Sequence, residues 1–173
     1  GNRFILYTTG NVNSNLSFTN NLIASTTVST NSGGGFYGMY NSGVCQGSLN
    51  LSSNDLNSNI LETASGPTYL IANTASVSSG IVMDNNSING YTNSIGASGD
   101  LYGIVNTGSL SPSLSMSGNT FTNNVSGITS GNIQLIANSG SISNSINFNG
   151  NTLSQGLSNT STDFSGNLNA IYN

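Results

Sequence analysis

Side chains able to carry out chemistry are scarce in this chain. Its charged residues are one arginine and five acids, and histidine is absent. They are Arg3, Asp55, Glu62, Asp84, Asp100 and Asp163. A general base poised near neutral pH is usually a histidine, or a lysine or carboxylate whose pKa is strongly shifted. Because the charges are few and scattered, the sequence predicts that the protein is not an enzyme.

The nearest approach to a metal site or an acid pair is formed by Asp55 and Asp84. They fall near the same point of the repeat described below, so neighbouring repeats would bring them towards one corner. A weak Ca²⁺ site is one interpretation, and ordinary turn acids are the simpler one, so we expect neither metal nor cofactor. The single cysteine, Cys45, is interpreted as a small buried hydrophobic residue rather than a reactive thiol.

The composition argues against several classes of partner. Asparagine, serine and glycine, with 31, 32 and 22 residues, make up about half of the 173 positions. Nucleic-acid binding depends on lysine and arginine, so a chain of net charge −4 is not expected to bind it. No run approaches the roughly 18 apolar residues of a membrane span, so no membrane insertion is expected.

A repeat of 32 or 33 residues is the most informative pattern. The repeated motif is an apolar residue, an Asn three positions later, and another apolar residue two positions after the Asn. It occurs five times, in runs that start at Phe18, Leu51, Met83, Met116 and Phe148. Their asparagines are Asn21, Asn54, Asn86, Asn119 and Asn151. A second series with the same spacing is Asn41, Asn73, Asn106 and Asn138. Such a fixed period is typical of stacked-repeat proteins.

Apolar positions precede each run at even offsets. Two positions earlier are Leu16, Leu49, Ile81, Leu114 and Ile146; six earlier are Val12, Cys45, Val77, Leu110 and Ile142; twelve earlier are Leu6, Met39, Ile71, Ile104 and Ile136. Residues two apart face the same side of a strand, so each repeat should contain at least two strands. A third, less regular side carries Val28, Ile60, Ile95, Ile128 and Leu157.

These patterns predict an all-β fold, a parallel β-helix or β-solenoid of about five coils of 32–33 residues in one domain, 1–173. The repeats are approximately 4–35, 36–67, 68–100, 101–132 and 133–167, with a partial repeat at 168–173. Stacked coils lie about 4.8 Å apart, so each apolar series becomes a core column. We expect the two asparagine series to form inward ladders of amide hydrogen bonds, in which every member except the end ones is satisfied.

Three tyrosines, Tyr37, Tyr69 and Tyr102, recur two positions before the Met39-type residues. Facing outward, they would form a platform on which sugars could stack. They share parity with the core residues Ile71 and Ile104, however, and we therefore expect them in the core.

The runs Phe18-x-x-Asn21 and Phe148-x-x-Asn151 resemble the repeats of bacterial parallel β-helix surface proteins, especially the passenger domains of autotransporter-like and polymorphic outer-membrane adhesins. The resemblance covers nearly the whole chain through a short motif. It implies a right-handed β-helix and an extracellular or cell-surface location.

Two functions follow as hypotheses. The first is a structural protein of an extracellular fibre, sheath or surface layer, which self-associates by end-to-end stacking of coils. Two features motivate it: the strand-like segments at 4–8 and 168–173 match, and a polar capping repeat is lacking. The alternative is an adhesin passenger or binding module that displays loops to a glycan or host surface. A polysaccharide depolymerase would need a carboxylate cluster, for which the sequence leaves little room.

Overall fold

The computed structural model describes residues 1–29, 33–62, 65–93, 98–109, 111–154, 158–160 and 164–173. Within these ranges all regular secondary structure is β-strand, and every strand pair is parallel. The predicted β-solenoid of about five coils is confirmed. Five predicted features lie outside the described part: Ile95, Leu110, Leu157, Asp163 and the side chain of Glu62.

Each complete coil passes once through four separate parallel sheets. The strands of sheet 1 are β1 (Arg3–Thr8), β5 (Phe36–Asn41), β9 (Thr68–Asn73), β13 (Leu101–Asn106), β17 (Ile133–Asn138) and β20 (Leu168–Tyr172). Those of sheet 2 are β2 (Leu16–Ser17), β6 (Leu49–Asn50), β10 (Ile81–Val82), β14 (Ser111–Ser115) and β18 (Ile142–Asn147). These two sheets correspond to the two strands per repeat that the even offsets predict.

Two more sheets follow. Sheet 3 is formed by the segments directly after the first series of asparagines, and sheet 4 lies on the side that the sequence suggests is irregular. Sheet 3 consists of β3 (Leu22–Ala24), β7 (Asp55–Asn57), β11 (Ser87–Asn89) and β15 (Thr120–Thr122). Sheet 4 consists of β4 (Thr27–Ser29), β8 (Ile60–Glu62), β12 (Thr92–Asn93), β16 (Val125–Ser126) and β19 (Ser158–Asn159). In sheet 4, Thr27 pairs with Ile60 and Val28 pairs with Leu61. Ile60 therefore points outward and is 41% exposed, whereas Ile128 is fully buried.

The predicted core columns are in register between neighbouring coils. In sheet 2, Leu16, Leu49, Ile81, Leu114 and Ile146 align. In sheet 1, Leu6, Met39, Ile71, Ile104 and Ile136 align. Most of these side chains are fully buried in one continuous core that follows the solenoid axis. Strands of two to six residues cannot bury an apolar face alone, and stacking supplies the missing neighbours.

The tyrosine prediction is wrong because the strands of sheet 1 bend. The bend lies at Gly38, Leu70, Gly103 and Leu135, positions that the paired register skips. At this bend two successive residues, such as Leu70 and Ile71, both enter the core. The alternation of faces shifts by one residue there, so Tyr69 and its equivalents face outward, where the half-buried Tyr69 and Tyr102 cover Ala72 and Val105.

A column of glycines brings the chain into sheet 1, where neighbouring coils approach closely. It contains Gly66, Gly99, Gly131 and Gly166. A Cβ on Gly131 would lie inside van der Waals contact of the Gly99 carbonyl, and a Cβ on Gly99 would meet Gly66 in the same way. Only glycine allows the backbones to come this close.

We expect Gly131→Ala to lower the free energy of unfolding by about 2 kcal/mol, because the added methyl group has to push two coils apart. Gly10→Ala is the matched control, since a Cβ at Gly10 meets nothing within 4 Å. Urea denaturation followed by circular dichroism measures both. Equal stability of the two variants would contradict the close-approach argument.

Candidate functional site

The first asparagine ladder follows the corner that leads into sheet 3. The Oδ1 atom of Asn54 accepts hydrogen bonds from both the backbone N–H and the Nδ2 of Asn21, each at 3.0 Å. The same two bonds connect Asn54 to Asn86 at 3.0 and 3.1 Å, and Asn86 to Asn119 at 2.9 and 3.1 Å. Each Oδ1 therefore accepts hydrogen bonds from both the backbone and the side chain of the equivalent asparagine in the preceding coil.

The residue before each ladder asparagine has a left-handed backbone. These residues are Asn20, Ser53, Asn85, Gly118 and Gly150, with φ of 57°, 58°, 56°, 66° and 67°. Glycine adopts this conformation without strain, and asparagine tolerates it better than most residues. The turn brings the chain around the corner, and the asparagine that follows is buried in the three middle coils.

The last rung of this ladder is incomplete. Asn119 donates its backbone N–H to Asn151 Oδ1 at 2.9 Å, but its own Nδ2 is buried without a hydrogen-bond partner. The Nδ2 of Asn151 donates instead to the carbonyls of Met116 and Phe148, at 2.8 and 2.7 Å. The expectation that every interior member is satisfied is therefore wrong at Asn119, whose Nδ2 does not reach the Asn151 Oδ1 that accepts from its backbone.

The second ladder closes the end of sheet 1 and is continuous. The Nδ2 of each asparagine donates to the Oδ1 of the next, at 2.7 Å from Asn41 to Asn73 and from Asn73 to Asn106, and at 2.8 Å from Asn106 to Asn138. Asn138 extends it to Asn173 at 2.9 Å. In the middle coils Nδ2 also donates to a carbonyl two residues ahead, so the buried amides are well satisfied.

A third asparagine corner leads into sheet 4, and sequence reasoning missed it. Asn59 Oδ1 accepts from the Thr26 N–H at 3.2 Å, and Asn124 Oδ1 accepts from the Tyr91 N–H at 2.9 Å. Asparagine occurs here in alternate coils, so no unbroken series is visible. The residues before the corner positions, Ser25, Ser58, Gly90 and Asn123, share a positive φ, but their residue types differ too much for the sequence to reveal it.

The two acids considered as a pair have separate structural environments. Asp84 accepts hydrogen bonds from Ser115 Oγ at 2.8 and 2.9 Å and from the Ser117 N–H at 2.7 Å, so it connects two coils. Asp55 begins a strand of sheet 3, and its Oδ1 is buried without a hydrogen-bond partner. In the described part of the chain, no three His, Cys, Asp or Glu side chains come together as a metal site.

Cys45 is a core residue. It is fully buried, lies between Val12 and Val77 in the stack, and donates its thiol to the carbonyls of Ser14 and Ser48 at 3.1 and 3.4 Å. The interpretation of Cys45 as a small buried hydrophobic residue is confirmed.

The outward aromatic ladder runs along sheet 1 and consists of Phe4, Tyr37, Tyr69 and Tyr102. Successive ring centroids are 4.6, 5.5 and 4.7 Å apart, with interplanar angles of 17°, 18° and 10°. Tyr40 packs beside it, 4.8 Å from Tyr37 and 5.6 Å from Tyr69. The rings cover one another's faces, so the ladder presents ring edges and hydroxyls rather than the open faces on which a sugar would stack.

One carboxylate adjoins this ladder. The Tyr102 hydroxyl donates to Asp100 Oδ2 at 2.9 Å, and the Asn132 N–H donates to Asp100 Oδ1 at 2.7 Å. Burial, followed by the hydrogen bond to Asp100 and its charge, raises the pKa of Tyr102. Burial also raises the pKa of Tyr69, and the nearby Tyr40, Tyr37 and Asp100 raise it further.

Tyr91 is the one tyrosine that points into the core among the described residues. It lines a small internal cavity with Leu70, Phe121 and Leu135. Its hydroxyl and that of Thr68 are close but do not meet hydrogen-bond geometry, and both are buried without a partner. Burial strongly raises the pKa of Tyr91, and the Thr68 hydroxyl offsets a smaller part of the rise.

The fold and these contacts define a parallel β-solenoid repeat protein with asparagine-lined corners. Comparison with protein-family models, curated proteins and solved structures finds no match for the chain. Within the described residues there is no helix long and apolar enough to span a membrane.

We expect Asn86→Ala to lower the free energy of unfolding by about 3 kcal/mol, because it removes the acceptor of two buried hydrogen bonds from Asn54 and one of the two donors to Asn119 Oδ1. Asn86→Asp should be worse at neutral pH, since it buries a charge, and should recover as acid protonates the carboxylate. Asn13→Ala, at an exposed asparagine, is the control. Similar stability of Asn86→Ala and Asn13→Ala in urea denaturation would argue against the ladder.

We expect Tyr91→Phe to change stability at pH 7 by less than about 1 kcal/mol, because the lost hydroxyl has no partner. In the native protein the pKa of Tyr91 is raised above its ordinary value of 10.0. The folded state therefore keeps a proton that the unfolded state loses, and stability falls as pH rises above 10. Tyr91→Phe should lose less stability than the native protein in that range. Tyr7→Phe, a control at an exposed tyrosine, should lose as much stability as the native protein. Identical alkaline profiles for all three proteins would contradict this prediction.

Proposed function

We propose that this chain is a structural protein of an extracellular fibre, sheath or surface layer that assembles by end-to-end stacking of β-solenoid coils. The supporting observation is that equivalent apolar residues stack in register from coil to coil, so a further coil with the same spacing would continue the core columns. Ile5 is 36% exposed at one end face, and Ile146 is 37% exposed at the other. Members of the same columns in the middle coils, such as Leu70 and Ile81, are buried.

The first and last strands occupy equivalent positions. Both belong to sheet 1, and the register places Leu6 in the same column as Ile171, and Tyr7 in the same column as Tyr172. The β1 strand of a second copy could therefore pair with β17 in the place of β20. Its β2, β3 and β4 would then extend the other three sheets, with apolar residues again stacked on apolar residues.

The chemistry of the chain favours self-association over catalysis. With a net charge of −4, stacked copies repel each other weakly. The acids Asp84 and Asp100 are used as hydrogen-bond acceptors between coils. The proposal accordingly assigns no catalytic residue and no cofactor, and it places the protein outside the cell or on its surface, as the resemblance to β-helix surface proteins suggests.

Analytical ultracentrifugation and electron microscopy of the concentrated protein test the proposal. We expect oligomers or fibres whose mass grows with concentration, because each added copy buries the exposed columns of two end faces. Strictly monomeric particles at high concentration would refute it.

A pair of lysine variants on one strand locates the interface. We expect Ile146→Lys to abolish assembly, because Ile146 lies in a core column, is 37% exposed at the end face, and would put a charge into the contact. Ser145→Lys adds the same charge at the neighbouring position of β18, which is exposed, and should leave assembly intact. Equal behaviour of the two variants, with folding checked by circular dichroism, would show that assembly does not use this face.

A second candidate is an adhesin-like binding module displayed on a cell surface. The observation in its favour is the outward aromatic ladder, which presents the edges and hydroxyls of Tyr37, Tyr69 and Tyr102 along one strip. Such a strip suits hydrogen bonding to a glycan chain better than ring stacking. A glycan array and a cell-binding assay test it, and the absence of binding in both would count against this function.

A further inference from the structure

Four tyrosines on the outside of sheet 1 are connected by a chain of ring contacts, and we call them the tyrosine cluster: Tyr37, Tyr40, Tyr69 and Tyr102. Tyr69 is central, with ring centroids of the other three at 5.5, 5.6 and 4.7 Å. The closest and most parallel tyrosine pair is Tyr69 and Tyr102, whose planes differ by 10°. All four rings are half-buried rather than enclosed, so small oxidants in solvent can reach them.

Tyr102 has what a phenol needs in order to lose an electron. A phenol that is oxidised by one electron becomes a strong acid, so a proton acceptor within hydrogen-bond distance assists the step. Asp100 Oδ2 lies 2.9 Å from the Tyr102 hydroxyl. The Asn132 N–H holds the other carboxylate oxygen at 2.7 Å, which keeps the acceptor in place.

We propose that the tyrosine cluster is a site of oxidative cross-linking, in which Tyr69 and Tyr102 are joined as dityrosine by a peroxide-driven one-electron oxidant of the haem-peroxidase type. Each phenol loses one electron and one proton; the Tyr102 proton passes to Asp100 and the Tyr69 proton passes to solvent. The two phenoxyl radicals form one carbon–carbon bond between ortho positions. Both ortho hydrogens then move to the oxygens and restore the phenols. Two electrons and two protons convert one hydrogen peroxide into two waters.

The geometry makes the reaction selective within the chain. Tyr7 is the register partner of Tyr40 on the neighbouring strand, but its ring packs on Phe4, with centroids 4.5 Å apart, and Phe4 has no hydroxyl to form a phenoxyl radical. Tyr91 is buried in the core. Tyr172 aligns with Ala137, and through it with Val105, rather than with a tyrosine in the neighbouring coils. In the described part of the chain, the ring contacts between tyrosines all lie within the cluster.

The cross-link would act as a covalent clamp between two neighbouring coils. Tyr69 and Tyr102 lie in adjacent strands, β9 and β13, and are paired in register. A bond between them closes a loop of one full coil and restricts the unfolded chain, as a disulfide does. The inference does not depend on end-to-end assembly, because both residues belong to one molecule.

Dilute protein treated with a haem peroxidase and hydrogen peroxide tests the proposal. We expect dityrosine fluorescence in the monomer, a mass loss of two hydrogens in a linked pair of peptides containing Tyr69 and Tyr102, and a higher melting temperature. Tyr102→Phe keeps the ring stack and should lose this linked pair. Asp100→Asn keeps an acceptor for the hydrogen bond but cannot take the proton, and should slow the reaction roughly tenfold or more.

Tyr7→Phe is the control outside the cluster and should react at the native rate. Links that map mainly to Tyr7 or Tyr172, links that form only between molecules, or an unchanged rate in Asp100→Asn would overturn the proposal. Circular dichroism of each variant before oxidation separates a loss of reactivity from a loss of fold.

Discussion

Register between neighbouring coils is the constraint on which the rest of this solenoid depends. Most strands outside sheet 1 have two or three residues, too few for backbone pairing alone to resist a slip. The buried asparagines supply the missing specificity, since Asn54 and Asn86 each accept two hydrogen bonds from the coil before. A slip of one residue would leave these amides buried and unpaired, at a cost of about 1–3 kcal/mol for each group.

The scarcity of charge follows from the same register. Each residue lies about 4.8 Å from its equivalents in the next coils, so a charge repeated at one position would repel itself along the whole stack. Asp55 and Asp84 instead occur singly in their columns. The serine at the position equivalent to Asp84 in the next coil, Ser117, donates its N–H to the carboxylate. The polar, nearly uncharged composition thus suits the close stacking of equivalent positions.

The outward tyrosines show how stacking creates chemistry that no single repeat contains. The periodicity that places Ile71 next to Ile104 in the core also places Tyr69 next to Tyr102 on the outside. Because the rings cover one another, the ladder loses the open faces that bind sugars and gains contacts between phenols. Asp100 adds a proton acceptor at one position only, so the chemistry is local even though the scaffold is repetitive.

The sequence by itself determined the period, the core columns of sheets 1 and 2 and the positions of two asparagine ladders, because each is carried by similar residues in nearly every coil. Sheet 4 and the third corner were not predictable, since their strands are short and Asn59 and Asn124 alternate with Thr26 and Tyr91. The unpaired Nδ2 of Asn119 was not predictable either, because the residue types of its ladder are the same in every coil. The direction in which the tyrosines point was decided only by the tertiary structure. At the bend at Gly38 and Leu70, two successive residues face inward, so the alternation of inward and outward side chains shifts by one residue. This shift arises where the strand bends around the core.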